Sequence, residues 1–334
     1  MRVRLSPEPV FRLSSVLGQD AVVAMLRQGL TRGTLPHALL FVGPEGVGKR
    51  TTAVALAAER MCTAGLGEAC GGCTGCVQVA VGTHPDIRRE GLGVDERGER
   101  RERVLIEQVR AVQNFLGGRA LAGRGKIAIF EDAQALTEDA QNALLKTLEE
   151  PPRGSLIVLV SHSASRLLPT VRSRCQRAAF VPLSAETIFA ILRERLGIAA
   201  EDAQVFSRYS EGSLALAADP ASLRVAHERA TRILEAAHSG SYPEVVGAVR
   251  ESLTTNRGVP LEMKALLGIL RRRMRASAGL VEPAELTPRG KTESLVAALL
   301  AAEAAYAAVV DFGRNANRSL AAERMALRIG ARRD

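Results

Sequence analysis

Residues 38–50 read Ala38-Leu-Leu-Phe-Val42-Gly43-Pro-Glu-Gly-Val-Gly48-Lys49-Arg50. Five consecutive apolar residues predict a strand buried on both faces, as in a parallel sheet. The glycine-rich turn and the alanine-rich stretch from about Arg50 to Met61 complete Gly-x-x-x-x-Gly-Lys between a strand and a helix. There the glycines let successive backbone N–H groups point inward at phosphate oxygens. The helix N-terminus adds partial positive charge, and the lysine reaches the terminal phosphates. The stretch predicts a phosphate-loop fold cradled by Gly43, Gly46, Gly48 and Lys49; the competing reading is a glycine-rich turn without a ligand.

Working outward, Asp20–Thr31 has helical periodicity, and Lys126–Phe130 and Ser155–Val160 read as two further buried strands, with a short fourth at Ala179–Val181. Ile106–Leu116 reads as a helix. Thr137 caps another that runs to Glu149 and stops at Pro151-Pro152. The charged residues 88–103 read as a solvated loop or irregular hairpin. Strands alternating with helices predict a parallel sheet covered on both faces, an α/β domain over residues 1–182. Beyond Pro182 the pattern is helical throughout: 185–196, 201–209, 213–218, 224–238, 242–255, 260–277, 292–313 and 318–329. The breaks suggest a small helical module, 183–222, and a larger one, 223–334. At 334 residues the chain exceeds what one core supports.

The phosphate loop lacks parts that hydrolysis needs. The residue after the lysine should carry a hydroxyl for magnesium, but it is Arg50, which cannot ligate a cation. Thr51 is rotated about 100° away on the helix. Where Asp-Glu is needed at the end of the second strand, the chain has Glu131-Asp132, both carboxylates present in swapped order. With Ser161 these complete the candidate nucleotide-site residues, a degenerate site in which hydrolysis is impaired and binding of ATP or ADP remains open.

Cys62, Cys70, Cys73 and Cys76 place four thiols within fifteen residues. In a reducing compartment such spacing reads as a closed, structural zinc site, with an iron–sulfur cluster or free thiols as alternatives. Cys175 stands apart as a small buried residue, and His84 reads as structural rather than as a fifth ligand.

Net charge is +9, with five lysines among 45 basic residues. The balance suits a polyanionic partner, although a GC-rich genome writes the same arginine excess. Aromatics are 3% with no tryptophan, which disfavours a single-strand binder built on stacking platforms. No apolar run reaches the ~18 residues of a membrane span, and the start lacks a signal-peptide core. The expected location is cytoplasmic.

The run Leu136-Thr-Glu-Asp-Ala-Gln-Asn-Ala-Leu-Leu-Lys-Thr-Leu-Glu-Glu-Pro-Pro152 closely resembles the central motif of bacterial clamp-loader subunits, an AAA+ family. So do Gly18-Gln19, Leu35-Pro-His-Ala38, the phosphate loop, the four-cysteine insert and Ser173-Arg174-Cys175, together covering residues 10–182. The helical remainder is similar to the lid and collar of that family, with a weaker match at Asn315–Leu320. Two branches compete. His84-Pro85-Asp86 and Ile106-Glu-Gln-Val-Arg110 resemble the delta prime branch of the DNA polymerase III clamp loader. The ATP-hydrolysing gamma/tau branch instead keeps the hydroxyl, the Asp-Glu pair and a lid arginine, where this chain has Arg50, Glu131-Asp132 and Ala215.

The resemblance implies a stator in a five-membered ring with gamma/tau and delta subunits, which opens a sliding clamp and closes it on primed DNA. It implies no ATPase activity alone, and Arg174 as a finger reaching a neighbour's γ-phosphate. The alternative for Arg174 is an intramolecular salt bridge. Alternatives for the chain are a gamma/tau-type motor or a stand-alone AAA+ DNA-repair ATPase. The densest basic run, Arg271–Arg275, fans around a helix and reads as a solvated or interface face rather than a DNA-binding stripe.

Overall fold

The computed structural model describes residues 12–64, 68–93, 101–210, 212–217 and 220–239, with isolated positions beyond. The predicted helices from 242 onward, the Arg271–Arg275 run and Asn315–Leu320 lie outside the described residues.

Five strands, β1 (Ala38–Val42), β2 (Ile87–Glu90), β3 (Ile127–Phe130), β4 (Leu156–Ser161) and β5 (Gln176–Ala179), form one parallel sheet in the order β2-β3-β4-β1-β5. Every residue of β1, β3 and β4 is buried, which is why these strands read as unbroken apolar runs. The edges carry polar side chains. β2 lies inside the stretch read as a loop, so that reading is corrected for residues 88–90. Arg88 and Glu90 pair with each other on the edge (Nη2 to Oε1 2.7 Å), and such a strand shows no apolar run. β5 likewise sits three residues earlier than the apolar 179–181, because its Gln176 and Arg177 face solvent.

Helices α1 (Asp20–Arg32), α2 (Lys49–Met61), α4 (Ile106–Gly117), α5 (Glu138–Glu149) and α7 (Ala185–Glu194) occupy the stretches expected of them. Helix α3 (Thr74–Val81), inside the cysteine insert, and the one-turn α6 (Pro169–Arg172) were not legible. On one face of the sheet, Leu40, Phe130, Ile157 and Leu159 pack with Val109, Val112 and Leu116 of α4 and Leu144 and Leu148 of α5. Helix α2 is buried through residues 52–59 and again at Met61, and its alanines let it lie close to the sheet.

The chain divides into two compact units, Met1–Leu196 with Gly212–Ala215, and Gly197–Glu211 with Leu216–Asp334. The second contains α8 (Ala200–Tyr209) and α10 (Pro220–Ser239), which pack through buried Ala203 and Phe206 on one and Ala226, Ala230, Ile233 and Leu234 on the other. α10 begins at Pro220, where proline fits the first helical turn. α9 (Leu214–Ala217) straddles the division. Among the described residues no helix is long and apolar enough to cross a membrane.

The His84-Pro85-Asp86 motif is a fastening. Asp86 is fully buried, and its carboxylate accepts from the Leu121 and Ala122 amides at 2.9 and 2.6 Å, tying the α4–β3 connection to the start of β2. His84 Nδ1 accepts from the Asp86 amide at 3.1 Å. Asp86→Ala removes both bonds from the buried carboxylate to the loop amides and is expected to cost about 3 kcal/mol of stability in chemical denaturation, since bonds to charged groups contribute ~1.5–3 kcal/mol each. A loss below about 0.5 kcal/mol would contradict the fastening role.

A degenerate phosphate loop and a four-cysteine cluster

In this strand order the carboxyl ends of β1 and β3 flank that of β4, with Val42 beside Ser161 and Phe130 beside Leu159. Ligands of open parallel sheets sit at this edge. The loop after β1 is held from several sides. Gly43, Gly46 and Gly48 have φ of 155°, 76° and 96°. At Gly46 a Cβ would lie 2.7 Å from the Ala215 amide nitrogen, and the Leu214 amide donates to the Gly46 carbonyl at 3.0 Å. Ala215, where the gamma/tau branch carries an arginine, therefore sits directly on the loop. Gln19 gives the Gly18-Gln19 motif its function: its amide donates to the carbonyls of Val181 (2.8 Å) and Val47 (3.3 Å) and accepts from the Val181 amide (3.1 Å).

Lys49 is turned onto the loop's own carbonyls, donating to Gly43 at 2.8 Å and to Pro44. Burial, opposed by Glu45 and aided by Arg50, holds its ammonium down at about 8. A phosphate in the cradle would offer that ammonium better acceptors than two carbonyls.

The adjoining cluster decides the chemistry. Arg50 Nε lies 2.9 Å from Glu131 Oε2, and its Nη2 lies 3.7 Å from Asp132 Oδ2. Arg89 on β2 takes the other oxygen of Glu131 at 2.5 Å. Asp132 Oδ2 also accepts from the Leu92 amide at 3.3 Å. Magnesium requires oxygen ligands in near-octahedral geometry at about 2.1 Å. Here guanidinium N–H donors face the two carboxylates, and two arginines match their charge. Thr51 is exposed, Thr52 spends its hydroxyl on the Gly48 carbonyl at 2.9 Å, and Ser161 spends its own on Ser163 at 2.9 Å. These residues do not fit a magnesium ion. Arg89 and His162 escaped the sequence reading. Partial desolvation holds the His162 imidazole below its ordinary range, and it lies in the field of Glu45, Lys49, Arg166 and Asp132. Only the strand order brings either to the loop.

The four cysteines converge: Cys62, Cys70, Cys73 and Cys76 have their sulfurs within 4.8 Å of one another. A tetrahedral zinc with 2.3 Å bonds needs sulfurs about 3.8 Å apart, and Cys62 and Cys73 already stand at 4.0 Å. Backbone N–H groups point at the sulfurs, from Cys70 to Cys62 (3.4 Å), Cys73 to Cys70 (3.3 Å), and Thr63 and Cys76 to Cys73 (3.4 and 3.5 Å). Hydrogen bonds from Thr63 and the Cys76 amide hold Cys73 down at about 5, whereas burial pushes Cys76 up to about 12. The donor set fits a structural zinc ion. His84, committed to Asp86, is outside the cluster. Cys175 is buried, which pushes its thiol up to about 12.

Arg174 lies between α6 and β5. Its Nη2 meets Glu149 Oε1 at 2.5 Å and its Nη1 donates to the Thr170 carbonyl at 2.9 Å. The intramolecular pair is present, and the guanidinium stays about one-third exposed. The central motif positions it: Thr137 caps α5 by accepting from the Ala140 amide, and α5 ends in Glu149. Buried Gln141 ties α5 to the α6 approach, donating to Leu136 (3.1 Å) and Arg166 (3.2 Å) and accepting from the Leu168 amide (2.7 Å).

The family described as "DNA polymerase III, delta subunit" matches residues 18–184, half of the chain, which include the phosphate loop, the cysteine cluster and Arg174. The chain belongs to that DNA polymerase III family. Its recognition as delta prime-like rests on relatives of that name. It is 42% identical over 155 residues to DNA polymerase III subunit delta' of Pseudomonas aeruginosa, covering 46% of this chain and 45% of the relative. It is 34% identical over 173 residues to the Bacillus subtilis delta' subunit, covering 51% and 50%. The Mycobacterium bovis gamma/tau subunit is 32% identical over 200 residues, covering 57% of this chain and 32% of that one. The match thus spans about half the length of the delta' relatives.

Proposed function

We propose that this member of the DNA polymerase III family is a delta prime-type clamp-loader subunit: a stator that hydrolyses no ATP itself and lends Arg174 to a neighbouring ATPase. The observation that carries the reading is Arg50, whose guanidinium lies on both Glu131 and Asp132, where a motor subunit holds magnesium. Ala215 on the loop points the same way, since it offers no charge to a γ-phosphate. In this reading residues 1–182 form the AAA+ domain with its zinc insert, 183–222 the lid and 223–334 the collar that joins a five-membered ring with gamma/tau and delta subunits. The assembled ring, in the cytoplasm, loads a sliding clamp onto primed DNA. In the same reading the phosphate loop holds ATP or ADP without consuming it.

The test has two parts. The chain should co-purify with gamma/tau and delta subunits in a stoichiometric complex. By itself it should show no steady ATP turnover above background. Turnover that disappears with Lys49→Ala would replace the stator with a gamma/tau-type motor. Turnover together with failure to join the complex would favour a stand-alone ATPase.

A further inference from the structure

We infer that Arg50 stands in for the divalent cation, so that the phosphate loop takes a nucleoside di- or triphosphate free of magnesium. The inference rests on the proposed reading that the loop holds a nucleotide, and it names the form of that ligand.

Position 50 is in the first turn of α2, immediately after Lys49, and its side chain crosses to the end of β3. There it does to Glu131 and Asp132 what a metal would do: it brings positive charge to both carboxylates at the mouth of the cradle. With Arg89 paired to the second oxygen of Glu131, the carboxylates have no unbalanced charge with which to attract a dication. Half of the Arg50 side chain is exposed, so the guanidinium remains within reach of an incoming phosphate. Its five N–H donors, spread along a planar fork, can serve a carboxylate on one edge and a phosphate on another. Lys49 and the N-terminal amides of α2 supply the remaining attraction for anionic oxygens.

A magnesium-complexed nucleotide fares worse on two counts. The complex presents two fewer negative charges to Lys49 and Arg50, the two cations of the loop, while Glu45 on the same loop is common to both forms of the ligand. Its metal would also approach a seat held by a guanidinium, which must leave two ion pairs to make way. Like charges brought together in a partly desolvated site repel more strongly than in water. Magnesium is therefore an antagonist of binding here, the reverse of its part at a motor site.

Calorimetric titration of the full chain with ADP and with ATP, each in magnesium-free buffer without chelator and in excess magnesium, decides the matter. For the unmodified chain, binding is expected without magnesium and is expected to weaken about tenfold or more with magnesium. Arg50→Thr restores a hydroxyl and releases the carboxylates, so its binding should be strengthened by magnesium by a similar factor. Binding by the unmodified chain only in magnesium would overturn the role of Arg50 and leave nucleotide binding standing. The same magnesium response in both proteins would also remove Arg50 from the account. No binding in either condition would overturn the nucleotide reading and this inference with it. None of these outcomes bears on Arg174, whose test is separate.

Discussion

Arg174→Ala in an assembled clamp loader is expected to lower clamp- and DNA-stimulated ATP turnover at the adjoining site by about 10³-fold or more, with the ring still formed. A guanidinium delivered across an interface to a transferring phosphoryl group is worth ~10³–10⁵ in rate. The pair with Glu149 does not remove Arg174 from that role. It is solvent-accessible on both sides, and exposed ion pairs contribute only ~0.2–1 kcal/mol. A γ-phosphate can outbid it at little cost. Arg174→Lys should rescue poorly, because an ammonium cannot contact two phosphoryl oxygens in a planar fork. Single-turnover ATP hydrolysis by the reconstituted complex is the measurement, and a rate unchanged by Arg174→Ala would leave the intramolecular salt bridge as the residue's whole purpose.

The second large effect concerns the cysteine cluster. Cys62 follows the last residue of α2 and Cys76 lies in α3, so a metal held by all four sulfurs clamps one helix to the other. The insert has little apolar surface of its own to do this, since residues 63, 64, 68 and 70–72 are exposed. The purified chain should carry one zinc, and Cys76→Ser or chelation should lower the stability of this region by several kcal/mol. The ~10–16 kcal/mol of zinc binding in isolated fingers is an upper bound, because the sheet has its own core. The pH dependence follows from the thiols. Cys76, pushed up to about 12, is protonated throughout the neutral range and must release its proton to bind metal. Cys73, held at about 5, is already a thiolate there and adds no such dependence. Zinc affinity is therefore expected to fall at least about tenfold per unit as pH drops from 8 to 6. A competition assay with a chromogenic chelator measures it, and a flat profile would contradict the assignment.

Legibility followed burial. β1, β3 and β4 are covered on both faces, and a strand so placed can only be apolar, so its sequence declares it. β2 and β5 are edges with arginine, glutamate and glutamine on them, and a polar strand of four residues resembles a loop until its partner is known. The four cysteines were legible for a related reason: a tetrahedral site built from one short segment prints its spacing in the chain. Gln19 was visible only as part of a motif, because its partners at Val47 and Val181 lie 28 and 162 residues away.

The sequence alone determined that this protein has a parallel sheet, a phosphate loop without its magnesium hydroxyl, a thiol cluster and an arginine in the Ser-Arg-Cys position. These are readings of short-range pattern, where spacing along the chain equals spacing in space. Tertiary structure alone decided where the charges went: Arg50 onto Glu131 and Asp132, Arg89 onto the same glutamate from a strand not foreseen, and Arg174 onto Glu149. The physical reason is that an ion pair depends on which strand ends stand side by side, and the order β2-β3-β4-β1-β5 is settled by packing the whole sheet rather than by any local run of residues.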